Sequence, residues 1–184
     1  AIKRGKSFGV YDLEEKEFAL ARKETKTGEG HQAFKIETAS DITIEEDLKR
    51  RDITINAIAR DVLTGEYKDP FGGREDIKKR TIKATSKAFQ EDPLRVYRVA
   101  RFAATLQFEV EAQTLKMMKQ IEPELKTISK ERIYEELKKA LKGIKPSLFF
   151  ETLKQAGVLH THFLEIEKLI GAEQPKQYHP EGDA

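Results

Sequence analysis

Apolar residues alternate with polar ones early in the chain and settle into helical spacing later. Phe8, Val10 and Leu13 precede a charged turn at Glu14-Glu15-Lys16, and Phe18 and Leu20 alternate with smaller or polar partners after it. That period of two predicts strands across residues 8–37, with Thr27-Gly28-Glu29-Gly30 as a loop and a short strand over 33–36. A second hairpin is predicted from 58–63, the turn Thr64-Gly65 and 66–69, after which Pro70-Phe71-Gly72-Gly73 breaks regular structure. Beyond residue 85 the period changes. Leu94, Tyr97, Val99, Phe102, Ala103 and Leu106 recur at helical spacing behind Asp92-Pro93, where Asp92 serves as N-cap and Pro93 as the first helical residue. Residues 114–121, 131–141 and 146–156 predict three more helices, with Gly157 at a C-cap position and an irregular tail over 174–184. A strand-rich half followed by a helical half is an α+β fold.

Composition narrows the function. With 184 residues, 38% hydrophobic and 36% charged, the chain suits one ordinary domain or two small ones under a charged surface. Lysine and arginine total 34 against 32 acidic residues, so any surface for nucleic acid has to come from clustering and not from the net charge of +2. The absence of cysteine excludes disulfides, cysteine-ligated zinc and a cysteine nucleophile. No apolar run approaches the roughly 20 residues that span a bilayer, and the start of the chain does not read as a signal peptide, so no membrane partner and a cytoplasmic location are expected.

Three segments carry candidate chemistry. Glu91-Asp92-Pro93-Leu94-Arg95 reads plainly as a capped helix start, but it also sets a carboxylate beside a guanidinium. The carboxylate can accept from the exocyclic amine of cytosine or adenine, and the guanidinium can donate to cytosine N3 and O2 or adenine N1. Uracil and guanine reverse that polarity and would leave both groups mispaired. Arg98 and Arg101 follow at three-residue steps as an exposed stripe or as partners for phosphates and RNA backbone. Arg50-Arg51-Asp52-Ile53-Thr54-Ile55-Asn56-Ala57 is either a surface turn or a ribose site, with Asn56 on a hydroxyl and Arg51 and Asp52 ordering the pocket. Asp69-Pro70-Phe71-Gly72-Gly73 with Asp76 reads as structural, its glycines allowing close packing, and it is not a P-loop. His31, His160, His162 and His179 are scattered, and the pair 160/162 lacks a third metal ligand at convincing spacing.

In chain order, the strings over 50–57, 69–73 and 91–95, the last continuing as Val96-Tyr97-Arg98-Val99-Ala100-Arg101-Phe102-Ala103-Ala104, resemble class II tRNA nucleotidyltransferases (CCA-adding enzymes) and bacterial poly(A) polymerases. Glu131-Arg132-Ile133 with Glu135-Glu136-Leu137 resembles a later helical motif of that family, and His179-Pro180-Glu181-Gly182-Asp183 looks like the lead-in to the phosphohydrolase domain of some members. The resemblance implies a partial nucleotidyltransferase head at 1–86, a nucleotide-reading helical neck at 87–142 and the start of a helical body at 143–184. It implies CTP and ATP as substrates, magnesium as cofactor and the 3′ end of tRNA or another RNA as acceptor. By position, Asp92 and Arg95 would read the base, with Arg98 and Arg101 near nucleotide or RNA. Arg51, Asp52 and Asn56 would meet sugar or triphosphate, and Arg22 and Glu17 would be head-domain contacts.

The departure concerns the metal. The family holds magnesium on an Asp-x-Asp pair after a glycine-rich turn, and residues 1–40 contain no such string. No catalytic or metal residue is therefore assigned, the chain alone is expected to be inactive, and a complementing catalytic segment or chain is a possible partner. Ile53 stands where the family usually has an aromatic. CCA, CC, A and poly(A) addition all stay open, as does a non-catalytic RNA- or nucleotide-binding module.

Overall fold

The computed structural model describes residues 2–4, 10–14, 16–26, 34–38, 42–172 and 177. The loop expected at 27–30, His31, His179 and nearly all of the 174–184 tail lie outside the described residues.

The early alternation yields two small antiparallel sheets. β1 (Ile2–Arg4), β2 (Val10–Leu13) and β3 (Lys16–Ala19) form a meander, with Leu13 opposite Lys16 and Glu14 turning the chain at φ +51°. β4 (Arg22–Lys26) pairs with β5 (Phe34–Thr38), Arg22 opposite Thr38.

A helix that the apolar pattern did not announce follows: α1 (Ile44–Lys49). It is held at its start by a capping box, in which Thr43 Oγ1 accepts from the Glu46 N–H at 3.3 Å and the Glu46 carboxylate accepts from the Thr43 N–H at 3.0 Å. A 3-10 turn, Thr54–Asn56, leads to the expected hairpin, which is shorter than its sequence pattern: β6 (Ala59–Arg60) pairs with β7 (Tyr67–Lys68). Asp61 Oδ1 accepts from the N–H groups of Leu63 and Thr64, and those bonds compete successfully with strand pairing.

Asp69-Pro70-Phe71-Gly72-Gly73 does what its residues suggested and starts α2 (Gly73–Lys79). The Asp69 carboxylate accepts from the N–H of Gly73 at 2.7 Å and of Arg74 at 2.9 Å, while Gly72 takes φ +74°. A Cβ on Gly73 would lie 2.2 Å from the Thr54 carbonyl oxygen, so only glycine lets α2 approach the 54–56 turn this closely.

The helical half is built around α3 (Arg95–Leu106). It begins later than the sequence predicted. Residues 87–91 form a 3-10 turn, and Asp92 Oδ1 accepts from the Leu94 N–H at 3.0 Å, so Asp92 closes one turn before the α-helix begins. Val96, Tyr97, Val99, Ala100, Ala103 and Ala104 are buried. Strand β9 (Glu109–Val110) follows, then the helices α4 (Ala112–Gln120), α5 (Glu122–Leu125), α6 (Lys130–Leu141), α7 (Ser147–Gln155) and α8 (His160–Leu169). Helix α3 packs against α6 and α7. Phe149 and Phe163 stack edge-on at 5.8 Å, and Phe163 meets Tyr97 at 6.4 Å. Burying each such ring contributes about 2 to 3 kcal/mol.

A parallel strand pair joins the halves, β8 (Thr81–Ile82) running beside β9, while Ile53 bridges Ala84 within the first half. Gly157 ends α7 at φ +69°, as its position in the sequence predicted. Helix α8 was not foreseen; none of its residues is fully buried, and its apolar spacing is correspondingly weak.

Candidate functional site

One cavity, of about 620 Å³, opens where the two halves meet. The segment after α1 brings Arg50, Arg51, Asp52 and Asn56, and β4 brings Arg22. The approach to α3 brings Asp92, Leu94 and Arg95, α3 itself Arg98 and Phe102, and α6 brings Arg132. Six arginines against two aspartates make this wall strongly cationic in a molecule of net charge +2, which is the clustering that composition alone required.

Asp52 is the ionic centre of the first wall. Its Oδ1 accepts from the Ile53 N–H at 2.9 Å and from Asn56 Nδ2 at 3.1 Å. Its Oδ2 receives Arg98 Nε and Nη2, each at 2.7 Å. Burial works against the charge, but the Arg98 guanidinium, the Asn56 amide and the Ile53 N–H outweigh it and hold the carboxyl below its ordinary value. Arg98 and Asn56 thus reach the cavity already oriented by a buried carboxylate.

Arg95 is clamped. Its guanidinium donates through Nη1 to the Ala88 carbonyl and through Nη2 to the Arg50 carbonyl, both at 2.6 Å, and the residue is 8% exposed. These two bonds tie the start of α3 to the 3-10 turn before it and to the Arg50-Arg51 segment. Asp92 keeps one oxygen on the Leu94 N–H, while the other lies 3.8 Å from Arg132 Nη2. The Arg132 Nη1, buried, has no hydrogen-bond partner among the described residues.

Of the nine residues that the sequence singled out, seven line this cavity: Arg22, Arg51, Asp52, Asn56, Asp92, Arg95 and Arg98. Arg101 does not. Each three-residue step along a helix falls short of a full turn by about 60°, so Arg101 lies roughly 120° around from Arg95. There it pairs with Glu136 of α6 at 2.5 Å and stacks on Phe102 at 3.9 Å. Glu17 sits exposed on β3 and is not part of the wall. Arg132 was quoted only as part of a helical string, although an arginine directly before Ile133, the first buried apolar residue of α6, was open to the same reading as Arg98. Asp47, which holds Arg50 and Arg51, gave no sequence signal beyond its place in α1.

The histidines of α8 face different partners. His160 Nε2 lies 2.7 Å from Glu122 and His162 Nδ1 lies 2.6 Å from the Tyr97 hydroxyl. Burial first, and Lys130 second, lower the His162 pKa, and burial pushes that of the Tyr97 hydroxyl up. Among the described residues, no group of three or more His, Asp or Glu side chains could hold a metal ion. Asp52 is occupied by Arg98 and Asn56, and Asp92 adjoins Arg132, so the cavity does not fit a divalent cation and no step is derived through one. No helix among the described residues is long and apolar enough to cross a membrane.

Known proteins resemble this chain in sequence and in fold. Residues 3–83 match the family described as the poly(A) polymerase head domain, and residues 107–170 match the probable RNA- and SrmB-binding site of polymerase A. The chain is 45% identical over 183 residues to a multifunctional CCA protein of Nitrosococcus oceani, and 46% identical over 186 residues to one of Shewanella denitrificans. Each alignment covers 97% of this chain and 45% of the relative, so the chain spans less than half the length of these proteins. A Bacillus stearothermophilus CCA-adding enzyme in complex with CTP superposes with a TM-score of 0.70 at 34% identity, over 84% of this chain and 38% of that one. A Thermotoga maritima CCA-adding enzyme complexed with tRNA gives a TM-score of 0.62 at 32% identity, over 70% and 33%.

Proposed function

Because this chain belongs to the family of class II CCA-adding enzymes and bacterial poly(A) polymerases, we propose that it carries the nucleotide-reading part of an enzyme that adds C and A to the 3′ end of tRNA. The observation that carries this reading is the shared cavity: Asp92 and Arg95 stand in one wall with Arg51, Asp52, Asn56 and Arg98. Asp92 accepts from the exocyclic amine of CTP or ATP, and Arg95, fixed by two carbonyls, donates to the adjoining ring nitrogen. UTP and GTP place a carbonyl and a ring N–H there. The buried Arg95 and the half-buried Asp92 would then both be mispaired, at about 1 to 3 kcal/mol for the buried group. Asn56, steadied by Asp52, serves the ribose, and Arg51, Arg98 and Arg22 serve the triphosphate or the RNA backbone.

The division into a head over 1–86, a reading neck over 87–142 and the start of a body at 143–184 belongs to the same proposal, as does a cytoplasmic location. Magnesium is the divalent ion expected for the transfer, and the cavity residues are assigned no part in holding it. The enzyme's RNA partner is tRNA; solved relatives bound to CTP, ATP and tRNA support these ligands. A poly(A) polymerase is the second reading, favoured by the names of both family descriptions.

Calorimetric titration with CTP, ATP, UTP and GTP tests the site. Binding of CTP and ATP at least tenfold tighter than UTP and GTP is expected. Equal affinity for all four would remove the base-reading assignment, and extension of a tRNA ending in the discriminator base by the complete enzyme would separate CCA addition from poly(A) addition.

A further inference from the structure

Asp47 lies on α1 behind the arginine-rich wall, and nothing in the pattern of the chain marked it. It is 5% exposed, yet its carboxylate collects four donors. Oδ1 accepts from the Arg22 N–H at 3.3 Å, from Arg50 Nε at 3.0 Å and from Arg50 Nη2 at 2.6 Å, while Oδ2 accepts from Arg51 Nη2 at 3.1 Å. Ion pairs three and four residues apart on an exposed helix contribute only a few tenths of a kcal/mol. This one is buried, joins β4 to the end of α1, and has both of its arginines in the cavity wall. The Arg50 carbonyl, in turn, accepts from Arg95 at 2.6 Å. One residue is therefore held by Asp47 through its side chain and holds the base reader through its main chain.

We propose that Asp47 is a positioning residue: its carboxylate fixes the direction in which Arg50 and Arg51 meet the phosphates of the bound nucleotide. The inference rests on the nucleotide-reading proposal above. A guanidinium swings freely on a long side chain, and orienting it before the ligand arrives removes an entropic cost that would otherwise be met on binding. A carboxylate that receives Arg50 through Nε and Nη2 fixes the plane of that guanidinium as well as its position. Arg51, with 45% of its side chain exposed, is anchored at one nitrogen and turned toward solvent and ligand.

The test measures what the phosphates add. Cytidine, CMP, CTP and UTP are titrated into the full chain and into Asp47→Asn and Asp47→Glu, with thermal melting as a control for folding. In Asp47→Asn the ratio of CTP to cytidine affinity is expected to fall about tenfold, the size of one charge-assisted bond. The preference for CTP over UTP should hold. Asp47→Glu keeps the charge and moves the acceptor by one methylene; it should lose several-fold of the same ratio, and it keeps the test open if the Asn variant does not fold. An equal loss for cytidine and CTP would overturn the proposal in favour of a purely structural role. Tighter CTP binding in Asp47→Asn would also overturn it, because Asp47 would then be a counter-ion that weakens the site. So would an unchanged ratio in Asp47→Glu. A wild-type chain that does not distinguish CTP from UTP would instead defeat the underlying nucleotide reading, whatever the phosphate ratios.

Discussion

Asp92 and Arg95 are both held by the fold at the wall of the cavity. Asp92 gives one oxygen to the Leu94 N–H and leaves the other near Arg132, and Arg95 gives two of its N–H groups to carbonyls. Replacing Asp92 by Asn puts a donor where only acceptors stood, so UTP and GTP should gain relative to CTP and ATP by about tenfold, read by competition calorimetry. No shift in preference would remove Asp92 from base reading. Asp52 supplies a pH dependence with a definite sign. Its folded-state pKa is depressed below the ordinary 3.8, so its contribution to stability is present above that value and is lost as pH falls through the lower folded value. Melting curves taken at decreasing pH below 5 should therefore show a loss of stability that is reduced in Asp52→Asn.

At the scale of elements, the site depends on how closely α2 seats on the 54–56 turn, because that turn presents Asn56 and lies next to Asp52. A Cβ on Gly73 would fall 2.2 Å from the Thr54 oxygen and 2.9 Å from Ile58 Cγ1. Gly73→Ala should cost about 1 to 3 kcal/mol and weaken CTP binding, since either α2 or the turn must move. Gly72→Ala is the control. Its φ of +74° makes alanine strained, but nothing lies within 4 Å, so about 1 kcal/mol of stability should be lost with CTP affinity retained. Equal effects of the two substitutions on nucleotide binding would show that the close seating of α2 does not matter to the site.

For the molecule as a whole, α3 is the member that the cavity wall and the helical core share. Its Arg95 and Arg98 face the cavity, and its Arg101 pairs with Glu136 of α6, which is 4% exposed. Removing one partner of a buried pair leaves the other uncompensated. Arg101→Met should cost about 3 kcal/mol, toward the lower end of the range for such changes because Lys139 stays 3.5 Å from Glu136. For a chain of this length that lowers the melting temperature by roughly 10 °C. The CTP-over-UTP preference should survive in the folded population. A melting temperature within 2 °C of wild type would show that the pair is energetically neutral.

Local patterns in the sequence were enough for the α+β order, the helical spacing of α3 and the glycine-dependent start of α2, which rest on neighbours within a few positions, where propensity, capping and periodicity act directly. The short list from which seven cavity residues came needed the family resemblance as well, and Arg22 rested on that resemblance alone. Helix α1 was legible too, through Thr43 and Glu46, but only to a reading of caps and not of apolar spacing. Tertiary structure decided the rest. It turned Arg101 inward to Glu136, left Glu17 exposed on β3, delivered Arg132 from α6 to Asp92, and set Asp47 beneath Arg50 and Arg51. Partners separated by 35 or 40 residues, as these first and third pairs are, carry no shared local signal. Helical rotation and the packing of α6 on α3 determine which charge each arginine meets, and both exist only once the core of α3 has closed.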